Sequence, residues 1–191
     1  MNVDTADGGR REQVLTAALD VFVRYGYRKT SMEDVARAAD ISRPGLYLLF
    51  GAKQELFTAA VTRALDCGIA TVTETFADTS RPVRDRLLDA FDQWTGHYIG
   101  AMSREVNTLA EEYSDLLGPA VTEYPARFAT LVDTALTESL DTTASRSAAM
   151  TQTLISTSIG IKHQVTTREA FLERLTVAID LLLGAESPTK P

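Results

Sequence analysis

The sequence has a single cysteine, Cys67, so no disulfide can form within the 191 residues. Its two histidines, His97 and His163, lie far apart with no cluster of thiols beside either, which argues against a zinc site of the usual spacing. No uninterrupted apolar run approaches the ~20 residues of a membrane span; the longest centres on Leu181–Leu183. The first nine residues are polar and acidic with no apolar stretch behind them, so no secretory leader is expected and the expected location is the cytoplasm. A Gly-rich phosphate loop, a nucleophile elbow and metal-ligand spacings are all missing. We therefore expect no catalytic residue, no metal and no cofactor, and Cys67 reads as a packed thiol. Positive charge is also scarce: 19 Lys and Arg against 26 Asp and Glu leave a net charge of −7, which argues against a uniformly basic, nucleic-acid-binding coat.

The deficit is uneven. Residues 10–57 carry 8 basic and 6 acidic side chains, a net +2, whereas residues 61–191 carry 11 and 18, a net −7. Apolar residues make up 45% of the chain, enough at this length to bury a core without staples. Alternating strand patterns and internal repeats are absent, and helical spacing dominates. Val14, Ala18, Val21, Phe22 and Tyr25 predict a helix from about Arg10 to Tyr25, ended by Gly26. Ser31 and Asp34 form a capping-box pair for a second, short helix. Asp40 and Ile41 break it, and Ser42 caps a third helix that ends near Phe50, with Pro44 in its first turn. A longer helix runs from about Lys53 into the seventies. Further helices are expected after Pro82, near Arg104–Ser114, from about Glu123 to Leu140, from Ser145 to Lys162 and over Arg168–Leu183, the last with Thr166 and Glu169 as its capping box.

The two short helices from Thr30 to Phe50 carry the functional signal. Val35, Ala36, Ala39, Ile41, Leu46, Leu49 and Phe50 face inward, leaving Arg43, Pro44, Tyr47 and Leu48 outward. Two short helices joined by a tight turn are the geometry of a helix-turn-helix, whose second helix enters a major groove. Arg43 suits guanine or phosphate, Tyr47 offers a hydroxyl to phosphate, Gly45 permits close approach of the backbone, and Leu48 suits a thymine methyl. The helix starts at Thr30–Ser31, next to Lys29, and at Ala52–Lys53 add N–H groups suited to anions.

The stretch TSMEDVARAADISRPGLYLLFGAKQELF, Thr30–Phe57, resembles the DNA-binding domain of TetR-family transcriptional regulators. Val35–Ala36, Leu46–Tyr47, Phe50, Lys53 and Leu56 fall in register with that family's pattern. The resemblance covers about residues 10–60. It implies a homodimer, a ligand-binding C-terminal domain and repression relieved by a small molecule. Asp40 stands where the family commonly has Gly, Pro44 and Gly45 where it often has Gly and Thr, and Leu48 where a polar or basic residue is common.

Farther along, Phe91, Trp94, His97 and Tyr98, with Met102, Tyr113, Phe128 and Met150, are candidates to line an apolar pocket; each is also a natural core residue. Small residues dominate Thr142–Gly160, 13 of 19, which lets helices approach closely. Phe171, Leu175, Ala178, Ile179 and Leu182 form an apolar stripe on the last helix. Together these two helices are expected to pair with a symmetry mate.

The expected architecture is all-α: a disordered arm over 1–9, a three-helix DNA-binding domain over 10–57, a helical ligand-binding and dimerisation domain over 58–184, and a flexible tail over 185–191. The expected DNA-binding residues are Lys29, Thr30, Ser31, Ser42, Arg43, Pro44, Gly45, Tyr47, Leu48 and Lys53. The expected partners are a double-stranded DNA operator, a small-molecule effector and a second copy of the chain. The competing reading is a helical small-molecule binder or interaction protein that has lost specific DNA binding.

Overall fold

The computed structural model describes residues 4–99 and 114–184, and side chains from residue 8 onward. Nine α-helices and one 3₁₀ turn are present among the described residues, and no strand. They are α1 (Asp4–Tyr25), α2 (Met32–Ala38), α3 (Arg43–Leu49), α4 (Lys53–Ala77), α5 (Val83–Trp94), a 3₁₀ turn (Gly96–Tyr98), α6 (Ser114–Leu117), α7 (Ala120–Ser139), α8 (Ala144–Lys162) and α9 (Arg168–Leu183). The expected helix near Arg104–Ser114 and the tail 185–191 lie outside the described residues.

Two compact units result. Among the described residues the first comprises 4–66 with 114–121, and the second 67–99 with 122–184. The expected boundary at 57/58 is therefore too early. Nothing in the sequence stops α4 there, and Leu56, Phe57 and Ala60 all lie in the core of the first unit. Although no apolar run is uninterrupted, α4 is long and apolar enough by length and composition to cross a membrane. About a quarter of that stretch (28%) is buried in packing, with Ile69, Val72 and Phe76 buried farther along it.

The first unit is built on aromatic packing. Phe22 of α1 meets Phe57 of α4 edge to face at 5.1 Å, and Tyr27 lies 4.9 Å from Phe57. Val14, Ala18, Val35 and Leu46 complete a core with no solvent exposure. Helix α1 extends to Asp4, so residues 4–9, expected as an arm outside the fold, continue the helix. No proline interrupts this stretch, and once a helix is nucleated each added residue closes a further backbone bond.

Asp40 adopts a left-handed conformation, φ 52°. Ile41 N–H bonds the Ala36 carbonyl at 3.0 Å and Asp40 N–H that of Arg37 at 3.3 Å, which is a Schellman stop built on Asp instead of Gly. A left-handed conformation costs a side chain about 1–2 kcal/mol, less for Asp. Asp40→Val should therefore lower the stability of the first unit by about 1–2 kcal/mol in a urea titration, and Asp40→Gly should not.

In the second unit α5 packs against α9, and α9 against α8. Ion pairs fasten α5 to α9 at both ends. Arg84 donates to both oxygens of Asp180 at 2.5 and 2.9 Å, and Arg168 grips Asp92 through two donors. The Arg84 hydrogen bonds hold the Asp180 carboxyl below its ordinary range. The final helix is capped by Thr167, whose hydroxyl accepts from Ala170 N–H at 3.2 Å, one residue beyond the expected Thr166 box. The one-residue shift follows from α9 starting at Arg168, which puts Ala170 rather than Glu169 at the third helical position. A Cβ at Gly96 would press on an Asp92 carboxylate oxygen and on the Phe171 ring, so a larger residue there would have to displace the Asp92 side chain. Cys67 is exposed, not packed.

Candidate nucleic-acid interface

The reading helix α3 is short, and its orientation is fixed from below. Leu46 and Phe50 are buried under it, and Ser42 caps it by accepting from Gly45 N–H at 3.1 Å. A Cβ on Gly45 would stand 3.1 Å from the Ser42 hydroxyl, so glycine also relieves crowding at this cap. The opposite face presents Arg43, Pro44, Tyr47 and Leu48 to solvent, with Leu48 89% exposed. A leucine that exposed gives no packing energy to its own unit, and its apolar surface is open to a partner.

Arg43 is not wholly free. Its guanidinium lies 3.7 Å from the Glu33 carboxylate on α2 and 5.8 Å from the Tyr47 ring centre. Both members of the ion pair are more than half exposed, so the pair holds Arg43 by at most about 1 kcal/mol.

Three of the ten expected DNA-binding residues are used differently from the sequence expectation. Thr30 is 3% exposed and donates its hydroxyl to the Gly26 carbonyl at 2.8 Å, so it shapes the loop and offers no side chain to a partner. Ser31 is exposed but closed into the capping box: its N–H and hydroxyl both donate to Asp34, at 2.9 and 2.5 Å. Those bonds hold the Asp34 carboxyl below its usual value. Lys53 donates to the carbonyls of Tyr27 and Thr30 at 3.0 and 3.1 Å and lies 4.3 Å over the Tyr27 ring. It braces the α1–α2 loop against the start of α4. Lys53→Met should therefore lower the urea midpoint of the first unit by the equivalent of about 1–3 kcal/mol, the range for hydrogen bonds from a charged donor. Lys29→Ala, at an exposed position, should leave the midpoint unchanged.

The two helix starts expected to attract phosphate also carry acids of their own. Asp34 takes the Ser31 N–H, and Glu55 takes the Gly51 N–H at 2.8 Å. These carboxylates complement the helix dipoles from within and reduce what the N-termini offer an external anion. Sequence reasoning missed Glu33 and Glu55 as parts of this surface. It also missed Tyr25 and Arg37, which line a cleft of about 430 Å³ with Lys29, Thr30 and Asp34. The alternation of Arg43 with Glu33 across two helices had no local signal, because it depends on how α2 and α3 cross.

In the second unit the expected pocket residues divide. Phe91 meets Phe128 edge to face at 5.0 Å, and Trp94 stacks flat on Phe128 at 5.0 Å. Gly68 lies against the Trp94 ring, where a Cβ would make ordinary contact at 3.7 Å. Met150 is buried on α8. His97 and Tyr98 fall beyond the end of α5, in the 3₁₀ turn, with their rings 5.5 Å apart. Met102 and Tyr113 lie outside the described residues.

The expected pairing stripe is corrected in part. Phe171, Leu175 and Ile179 are buried within the unit, because this is the face of α9 that packs on its neighbours. The large apolar side chains that α8 and α9 leave exposed are Ile159, Val177 at 57% and Leu181 at 72%.

Residues 14–60 match the family Bacterial regulatory proteins, tetR family. A curated relative, the HTH-type transcriptional activator FasR of Mycolicibacterium smegmatis, is 36% identical over 86 residues, 44% of this chain and 39% of that protein. The chain thus matches well under half the length of this curated relative. Solved structures agree over nearly the whole chain. A TetR-like transcriptional regulator from Rhodococcus sp. RHA1 is 25% identical with a TM-score of 0.66, covering 93% of this chain and 97% of that one. A TetR-family regulator from Mesorhizobium loti is 19% identical with a TM-score of 0.72, covering 96% and 98%, and shows the same fold. The helix-turn-helix of α2 and α3 thus lies within the stretch that matches the tetR family of bacterial regulatory proteins, and the chain as a whole shares the fold of solved TetR-family regulators.

Proposed function

We propose that the protein is a cytoplasmic, DNA-binding transcriptional regulator that acts as a homodimer and represses until a small, largely apolar ligand releases it. The observation that carries this reading is the outer face of α3. Arg43, Pro44, Tyr47 and Leu48 stand exposed on a helix whose other face is locked into the core. Such a helix places a guanine- or phosphate-seeking cation, a phenol and a methyl-seeking leucine in one groove-sized row.

Pairing through α8 and α9 is supported by the exposed Ile159, Val177 and Leu181. Val177 and Leu181 are one turn apart on α9, and a two-fold axis would make their surface self-complementary. A ligand site in the second unit is supported by the Phe91, Trp94 and Phe128 cluster. An apolar, aromatic wall suits a mainly apolar molecule.

The single tryptophan makes this testable. Trp94 emission should change on titration with medium-chain fatty acids or aromatic acids, and the same compounds should weaken DNA binding. By linkage, ligand affinity and DNA affinity must fall by the same factor. A compound that alters Trp94 emission while leaving DNA affinity unchanged would overturn the release mechanism. Transcription in vitro from the bound promoter then separates repression from activation.

A further inference from the structure

We propose that Glu33 is a specificity-determining residue: it orients Arg43 toward a guanine edge and keeps the reading face from binding phosphates indiscriminately. The proposal rests on the DNA-binding reading above. Arg43 is the one cation on α3. In this structure its guanidinium lies beside two neighbours, the Glu33 carboxylate at 3.7 Å and the Tyr47 ring centre at 5.8 Å. One neighbour comes from α2 and the other from α3 itself, so the side chain is restrained from two elements.

A guanidinium presents two faces of donors. With one directed at Glu33, the other remains free, and it matches the paired acceptors of guanine, O6 and N7. Guanine is neutral at that edge and does not repel Glu33. A phosphate brought to the same place would meet the carboxylate as well as the cation, so the pair is nearly neutral toward the DNA backbone. The surrounding charges act in the same direction. Asp34 and Glu55 sit at the starts of α2 and α4, where they take the Ser31 and Gly51 N–H groups. Glu33 differs from both because it bonds no N–H of its own helix in this structure; its charge is directed at Arg43.

The test uses the full-length wild-type protein and Glu33→Gln. Each is put through selection from a random 30-base-pair duplex library, and then affinity is measured on the enriched duplex across a range of salt. The guanine beneath Arg43 is replaced in turn by 7-deazaguanine, which lacks the N7 acceptor. Glutamine is nearly isosteric and position 33 is exposed, so the variant keeps the fold. The wild type should lose on the order of tenfold in affinity on the 7-deazaguanine duplex. Glu33→Gln should lose markedly less than that and bind random duplex more tightly. Its dependence of log affinity on log salt should also be steeper, by about 0.9 per half-site for one added phosphate contact at each. If Glu33→Gln keeps both the 7-deazaguanine penalty and the wild-type salt slope, the proposal is overturned while the DNA-binding reading stands. If the wild type enriches no motif at all, the DNA-binding reading fails and this proposal fails with it.

Discussion

Arg43→Ala is expected to cost about 1–3 kcal/mol of operator binding at each half-site. In the proposed dimer two copies act at sites too far apart to interact, so the losses would add to about 2–6 kcal/mol. The lower bound alone is roughly a 30-fold rise in Kd. The loss should fall on the preferred sequence more than on random DNA, because a guanine contact specifies and a phosphate contact only positions. The Glu33 ion pair does not prevent this. It is exposed on both sides and weaker than a bidentate base contact, so Arg43 can engage a guanine at little expense. The fold should be unaffected, since Arg43 packs on nothing buried. Measurement of affinity by fluorescence anisotropy on specific and random duplexes, beside a urea titration, reads both parts.

The second large effect lies far from the reading face. Arg86 is 5% exposed and has no acid among its hydrogen-bond partners. It donates to the carbonyls of Phe76 at 2.8 Å and Arg81 at 3.1 Å and to the Ser139 hydroxyl at 2.8 Å. Phe76 is in the last turn of α4, where unsatisfied carbonyls and the helix dipole both favour a cation. One planar side chain thus ties the end of α4, the turn after it and the end of α7. Arg86→Met removes the charge and leaves three acceptors to find other partners, which should lower the stability of the second unit by about 1–3 kcal/mol for each acceptor that stays buried and unpaired. Arg86→Lys should rescue little, because an ammonium on a flexible stem cannot reach all three acceptors in the plane that a guanidinium spans. Thermal unfolding monitored by Trp94 emission would show it. A shift of less than 2 °C in Arg86→Met would contradict this role.

How much of this was readable from sequence depends on the range of the interaction. The Ser31–Asp34 box, the Ser42 cap, the Gly26 stop and the break at Asp40 are local, and each stands in the structure where the spacing of residues puts it. The outward set on α3 follows from helical periodicity alone, and it too is as expected. What was not readable depends on chain crossings. Lys53 reads as a surface cation in sequence, yet its ammonium reaches carbonyls 23 and 26 residues earlier. Thr30 reads as an exposed helix start, but the loop folds it inward. Arg86 has no local partner at all on its own helix, so no spacing rule points to it. On α9 the apolar residues are numerous enough to supply two faces, and only packing decides that Phe171, Leu175 and Ile179 turn inward while Val177 and Leu181 remain outside.

The opening charge deficit also acquires a location. The head is +2 by count, but Glu33, Asp34 and Glu55 stand among its exposed cations and helix starts. Weak binding to random DNA follows, and useful affinity then requires two heads on one duplex.

The most direct measurement is a nuclease footprint of the full-length protein on the DNA flanking its own gene, with Arg43→Ala in parallel. The account predicts protection of two half-sites about one helical turn, 10–10.5 base pairs, or a multiple of it apart. That protection should be lost in Arg43→Ala at the same protein concentration. Protection that is unchanged in Arg43→Ala, or wild-type protein that protects no discrete site, would contradict it.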